Sequence, residues 1–256
     1  MIRFAPVTEV NSVEIIGHRG ASFDAPENTL ASFRLAFDQC ADGIEFDIRL
    51  SKDGQIVVIH DPDTKRVAGI DRAVADQTLD QLRALDVGRW KGAEYPRERI
   101  PTLAEALAII PAGKRAYVEV KCGPESVPEL KRVIAAAKLS REQVIVISFS
   151  ADVVSAVKKR LPVVPAYWVV RLRDDAGTNW TADALVAAAR AMNADGLDLS
   201  ADPMITRELV EVASAAGLPV YVWTVNDAAM ARSLIAAGVS GIATDRPGWL
   251  RETLGW

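Results

Sequence analysis

The sequence predicts a (β/α)8 barrel, a TIM barrel, with a small inserted segment after the second strand. Short β-branched runs alternate with Ala-rich stretches of helical period along the whole chain, and about eight such βα units can be counted. The length of 256 residues is also the usual size of that fold. Alternation of this kind implies parallel strands joined by right-handed crossovers. A doubly wound open sheet satisfies the same pattern. Its dinucleotide-binding form, however, needs a GxGxxG turn after the first strand, and Gly17-His18-Arg19-Gly20-Ala21 is not one. Residues 1–256 are read as a single domain.

Each element has a local reason. The first strand, 13–18, is the run Val13-Glu14-Ile15-Ile16-Gly17-His18, and Asn28 or Thr29 opens the helix at 28–40 as its cap. The strand at 43–49 alternates apolar residues with acids, and 55–60 is an apolar run ending in His60. Residues 61–101 break the rhythm: rich in Asp, Arg, Gly and Pro, they hold only a short helical pattern at 78–85. They read as a loop insertion at the barrel mouth. A capping box of Thr102 and Glu105 starts the helix at 102–110, and the alternation returns at 116–121. Helices at 126–138, 151–160, 181–192, 205–216, 227–237 and 247–254 then separate strands at 143–149, 164–170, 196–199, 219–225 and 240–244. Asn226-Asp227 opens the seventh helix, and Gly217 and Gly238 suit left-handed helix ends.

Composition narrows the function. Apolar residues make up 50 % and charged residues 25 %, enough for a sizeable core, and the net charge of −4 argues against a nucleic-acid partner. No apolar run has bilayer-spanning length, so no stable membrane insertion is expected. The first nine residues contain no apolar signal core, and the two cysteines, Cys40 and Cys122, form no CxxC pair. Both point to a cytoplasmic protein. The oligomeric state is not readable from these features.

The chain contains two histidines, His18 and His60, each where a strand-like run ends in polar residues. Histidine titrates near neutrality and is the usual proton carrier. In Gly43-Ile44-Glu45-Phe46-Asp47-Ile48-Arg49, strand parity puts Glu45 and Asp47 on one face and the apolar residues on the other, toward the helices. Two inward carboxylates that close need positive charge between them, and a hard divalent cation is the simplest remedy. Tyr117-Val118-Glu119-Val120-Lys121 repeats the pattern and adds a third acid and an ammonium. The competing reading, an internal ion-pair network, accounts for one pair but poorly for three acids, a lysine and two histidines converging from four strand ends. Arg19, beside His18, has the planar fork that binds phosphate. A hard cation, an Arg, a Lys and two His together describe a phosphate-ester site.

These residues carry a family resemblance. From Gly17 to Pro247 the chain resembles the glycerophosphodiester phosphodiesterases of bacterial cytoplasmic type. The shared motifs are His18-Arg19-Gly20 with Pro26-Glu27-Asn28-Thr29, Glu45-Phe46-Asp47, Asp53-Gly54 with His60-Asp61, Glu119-Val120-Lys121, Val222-Trp223-Thr224-Val225-Asn226 and Gly241-Ile242-Ala243-Thr244-Asp245-Arg246-Pro247. The resemblance implies one divalent cation, Mg²⁺ or Ca²⁺, held by Glu45, Asp47 and Glu119, and an acid–base pair of His18 and His60. It implies phosphate contacts from Arg19 and Lys121, and a glycerophosphodiester as small-molecule substrate. It also suggests that Trp223, with Tyr221 and Val225 expected on its face, lines the substrate pocket; core filling is the competing role.

Smaller expectations complete the reading. Asp245 is a loop cap or a partner of Arg246, Asn28 and Thr29 are ordinary caps, and Cys122 is a structural thiol. Phe149, at the end of its strand, is a candidate for the mouth. A lysophospholipase D or sphingomyelinase D-like enzyme on the same scaffold would want an apolar rim around 61–101, where only Trp90 and Tyr95 interrupt a polar stretch. A non-catalytic phosphodiester-binding protein would not need the histidine pair. An amidohydrolase-type barrel needs more histidines than the chain has.

Overall fold

The computed structural model describes residues 13–173 and 179–256. Strand β1 (Glu14–His18) leads through α1 (Leu30–Asp38) to β2 (Gly43–Leu50). The chain then turns back tightly into β3 (Ile56–Val58), which pairs antiparallel with β2. Ser51 pins this turn, its N–H donating to Gln55 O at 2.9 Å and its hydroxyl donating to Asp53 at 2.6 Å while accepting from the Gln55 N–H at 2.9 Å. The run read as a strand at 55–60 is therefore a hairpin arm rather than a barrel stave, and the excursion starts just after β2. It continues through the two-stranded pair β4 (Asp63–Thr64) and β5 (Ile70–Ala73), with short helices α2 (Lys65–Ala68) between them and α3 (Leu79–Arg83) after them.

The alternation resumes at α4 (Leu103–Ala108) and β6 (Arg115–Val120), followed by α5 (Val127–Ala136), β7 (Val144–Ser148), α6 (Ala151–Arg160) and β8 (Ala166–Val170). It closes with α7 (Ala182–Ala191), β9 (Gly196–Ser200), α8 (Arg207–Ala215), β10 (Val220–Trp223), α9 (Ala228–Ala237), β11 (Gly241–Thr244) and α10 (Pro247–Leu254). Strands β1, β2, β6, β7, β8, β9, β10 and β11 pair in parallel in that order, and β11 pairs back to β1. This closes the eight-stranded barrel that the sequence predicts. Side-chain oxygens of Thr29, Thr102, Ser150, Thr181, Thr206 and Asp227 cap their helices, each accepting a backbone N–H of the first turn.

Strand parity divides the core. Ile15, Ile44, Phe46, Ile48, Val118 and Val120 point outward into the large layer between strands and helices. Ile16, Tyr117, Ile145, Ile147, Tyr167, Val169, Tyr221 and Ala243 fill the barrel interior. Among them, Tyr221 sits between Tyr117 and Tyr167 with tilted rings, centroids 5.4 and 5.3 Å away, and the Tyr117 hydroxyl donates to Glu14 at 2.6 Å. The Tyr221 ring lies so close to Gly241 that a Cβ there would fall 2.4 Å from it. The barrel is thus plugged at the N-terminal ends of its strands, and polar chemistry is confined to the opposite mouth. A third apolar cluster, including Val57, Ile59, Leu82 and Ile100, holds the excursion together and docks it beside β3.

Candidate active site

Parity and register assemble the mouth. Asp47 on β2 lies level with Glu119 on β6, and Glu45 lies level with His18 on β1. Glu45, Asp47 and Glu119 are all buried, and one oxygen from each lies within 4.8 Å of the others. Lys121 reaches in from the next inward position on the β6 chain, 2.6 Å from Glu119 and 3.1 Å from Asp47. The three acids and the lysine meet as strand alternation predicts.

Asp47 is the hub. The Asn28 amide donates to it at 2.8 Å and accepts from the Asp47 N–H at 3.1 Å, while Arg19 Nε lies 3.4 Å away. Asn28 is therefore no simple cap. It takes a left-handed backbone (φ 57°), and the helix cap is Thr29. Burial alone would raise the Asp47 pKa, but the Lys121 and Arg19 charges override it and hold the group below its ordinary value. Glu45 and Glu119 go the other way. Burial first, then the charges of their neighbours, lift Glu45 well up and Glu119 to about 7. Glu45 Oε1 is buried and receives no hydrogen bond. Three oxygens at close quarters, two acids that resist ionising together and an orphan oxygen among them fit a hard divalent cation. The all-oxygen donor set suits Mg²⁺ or Ca²⁺ better than zinc.

Each histidine is anchored on the same ring nitrogen. His18 Nδ1 lies 2.7 Å from Asp245 Oδ1, and His60 Nδ1 lies 2.7 Å from Asp61 Oδ1. A carboxylate on Nδ1 fixes the ring and leaves Nε2 to the mouth. His18 Nε2 sits 3.9 Å from Glu45 and 3.5 Å from the Thr224 hydroxyl. Burial pushes His60 below its ordinary pKa despite the attraction of Asp47. Asp245 and Asp61 are both held down to about 2, where hydrogen bonds to their histidine and, for Asp61, to Arg66 outweigh burial.

Asp245 corrects the expectation for that residue. It is neither a loop cap nor a partner of Arg246. It accepts from Ser22 at 2.9 Å and Asn226 at 2.6 Å besides its contact with His18. Trp223 stands half-buried at the top of β10, its indole N–H donating to Asp198 O at 3.2 Å and its ring edge-on to Phe149 at 5.5 Å. Phe149 does reach the mouth, 40 % exposed, with Lys121 Nζ 5.6 Å from its ring centroid. Val225 does not share the Trp223 face. β10 ends at Trp223, so alternation stops there, and Val225 is buried in the outer layer. Cys122 packs half-buried against that outer layer, as parity predicts. Asp198, one inward position below the top of β9, is a further buried acid that the motif reading passed over. Burial and the Glu119 charge raise its pKa well above the ordinary value.

The turn after β1 holds His18 and Arg19 in place. Arg19 and Gly20 both take left-handed backbone (φ 55° and 84°), and the Arg19 N–H donates to Glu45 at 3.0 Å. A Cβ on Gly20 would lie 2.5 to 2.7 Å from Ser32. Gly20→Ala is expected to lower the unfolding free energy by about 1–3 kcal/mol through overpacking alone, with backbone strain adding to it. A denaturant midpoint equal to that of the parent would contradict it.

Comparisons with known proteins converge on one group. The family model described as the glycerophosphoryl diester phosphodiesterase family matches residues 18–249. A glycerophosphodiester phosphodiesterase of Caldanaerobacter subterraneus subsp. tengcongensis is 34 % identical over 240 residues, covering 91 % of this chain and 94 % of that one. The structure of an Oleispira antarctica phosphodiesterase in complex with the product sn-glycerol-3-phosphate aligns with TM-score 0.86 and 29 % identity, over 95 % of this chain and 97 % of that one. A glycerophosphodiester phosphodiesterase from Agrobacterium tumefaciens aligns with TM-score 0.78 and 26 % identity, over 94 % and 100 %.

Proposed function

The chain belongs to the glycerophosphoryl diester phosphodiesterase family, and from that premise we propose that it hydrolyses glycerophosphodiesters to glycerol 3-phosphate and an alcohol by paired histidine acid–base catalysis. The observation that carries this reading is the pair of imidazoles, each held at Nδ1 by an aspartate, together with a buried three-carboxylate cluster whose Glu45 lies 3.9 Å from His18 Nε2. One imidazole takes the proton of the nucleophile at Nε2, and the other, protonated, returns one to the leaving alkoxide. The nucleophile is water or the 2-hydroxyl of the substrate glycerol. In the second case the resulting cyclic phosphate is opened by water with the two roles reversed.

Glu45, Asp47 and Glu119 would hold a divalent cation, which supplies charge neutralisation and polarisation of a phosphoryl oxygen. Arg19 and Lys121 face the same space and would bind the remaining phosphate oxygens. Glu27 orients Arg19, accepting from its Nη1 at 3.0 Å. Trp223 and Phe149 together form an aromatic wall for the substrate's carbon skeleton.

The mouth favours a polar substrate over a lipid. Its exposed aromatics, Phe23, Trp90 and Phe149, each carry a cation against the ring: Arg246 at 4.1 Å, Arg66 at 5.8 Å and Lys121 at 5.6 Å. Such a rim suits a head group better than an acyl chain.

The test is turnover of glycerophosphocholine, glycerophosphoethanolamine and glycerophosphoglycerol with Mg²⁺, with Ca²⁺ and with EDTA, read as release of glycerol 3-phosphate. Turnover that depends on the cation and disappears with EDTA is expected. Indifference to EDTA would remove the metal role of the three acids, and no turnover of any of the three would overturn the substrate reading.

A further inference from the structure

A second polar space opens beside His18, away from the Trp223 and Phe149 wall. It is a cleft of about 460 Å³ between the turn after β1 and the excursion, with His18, Arg19 and Asp245 at its inner end and Phe23, Trp90 and Lys91 further out. That volume lies in the range of small-molecule sites. It exceeds what the scissile phosphate alone needs.

The charges along this cleft do not cancel. Its carboxylates are all engaged. Glu27 is bound by Arg66 at 2.7 and 2.8 Å and by Arg19, while Asp245 is taken by His18, Ser22 and Asn226. Two cations have no carboxylate partner among the described residues. Lys91 Nζ donates only to the Ser22 carbonyl, at 2.7 Å, and lies 5.9 Å from the Phe23 ring centroid. The Arg246 guanidinium, beside the cleft rather than lining it, is sandwiched between the same Phe23 ring at 4.1 Å and Trp249 at 4.7 Å and makes no side-chain hydrogen bond among the described residues. Phe23 itself is 54 % exposed. The positive charges of Arg19 and Lys121, by contrast, are already opposed by Glu27, Asp47 and Glu119. The uncompensated positive charge at this side of the mouth therefore belongs to Lys91 and Arg246, one from the excursion and one from the loop after β11.

We propose that this cleft is a subsite for a second anionic group of the substrate, a phosphate ester borne on the portion that lies beyond the scissile phosphate, with Lys91 as its contact and Arg246, seated on the Phe23 ring at the cleft's edge, as a second positive charge beside it. An ammonium head group would meet two cations already seated on the available ring, so the same arrangement disfavours choline. The proposal rests on the phosphodiesterase reading above and concerns only which glycerophosphodiesters are preferred.

The test compares bis(glycerophospho)glycerol with glycerophosphoglycerol, which presents the same scissile linkage without a second phosphodiester. In the wild-type enzyme kcat/KM is expected to favour the doubly anionic substrate by roughly tenfold, the worth of a charge-assisted contact. This ratio should shrink as salt is raised, because exposed charges are screened. In the double variant Lys91→Met/Arg246→Met the ratio should collapse toward one. A wild-type ratio near one, or a ratio that neither salt nor the double substitution moves, overturns the subsite. The salt series needs no variant, so the result stands even if the double variant folds poorly. Failure to cleave either substrate would count against the phosphodiesterase reading, whereas equal cleavage of both counts only against the subsite.

Discussion

Replacing either His18 or His60 by alanine is expected to lower kcat by roughly 10²–10⁴-fold, the range that general acid–base groups supply. The geometry argues for both residues equally. Each imidazole is fixed at Nδ1 by an aspartate 2.7 Å away; His18 Nε2 lies 3.9 Å from Glu45, and His60 feels the charge of Asp47. Neither ring is needed to bind the acids or the basic residues, so KM should change much less than kcat. Removing both should cost little more than removing one, because a proton donor without its acceptor partner completes no turnover. Asp245→Asn should lower kcat by a smaller factor and displace the pH profile, since it unsettles the His18 ring without removing it. Steady-state kinetics on glycerophosphoglycerol decides the point, and near-normal turnover in both single alanine variants would sink the assignment.

Asp47→Ala is the second substitution with a large expected effect. It removes the carboxylate that Asn28, Arg19 and Lys121 all converge on. Loss of a metal's outer-shell partner costs about 10–100-fold in affinity, and loss of a ligand should exceed that. Activity at ordinary cation levels should therefore drop by more than about 100-fold. The same cluster gives a pH signature in the parent protein. Glu119 is raised from 4.5 to about 7 by burial and the Asp47 charge, so the folded protein holds a proton there that the unfolded chain has already released. Without cation, stability contributed by that proton is full below about 4.5 and is lost as pH rises through 7. A cation bound by the three acids would take the place of the proton. The rise in Tm on adding Mg²⁺ or Ca²⁺ should accordingly be larger at pH 8 than at pH 5.5, and it should vanish in Asp47→Ala. An equal rise at both pH values would contradict proton–cation competition.

The parts of the site that period-two alternation governs were legible in the sequence. Glu45, Asp47 and Glu119 sit on regular strands, and Lys121 is one residue past β6 with its N–H still bonded to Ile48 O of β2, so their inward direction followed from counting alone. Trp223 and Val225 mark the limit, because parity holds only while the strand lasts and β10 stops between them. The role of Asp245 was hidden for a different reason. Nothing local says that the loop after β11 meets the end of β1, a contact made only by closure of the barrel. Asn28 likewise reads as a cap, and only its left-handed backbone swings the amide onto Asp47. Asp198 was within reach of the same parity count on Gly196-Leu197-Asp198-Leu199-Ser200, but no motif drew attention to it. The excursion was recognisable as a break in rhythm, though its placing of Lys91 beside Phe23 depends on tertiary packing.

The pairing of β1 with β11 ties chemistry to the order of synthesis. His18 is synthesised early, and the Asp245 that holds it lies 227 positions later. Through most of translation the imidazoles and acids are present but have no fixed relation to one another. The aspartate clamp on His18 can form only when the last stave seats against the first. A chain stalled or clipped before that point is an incomplete barrel without the clamp on His18. The seating of β11 against β1 thus completes the site.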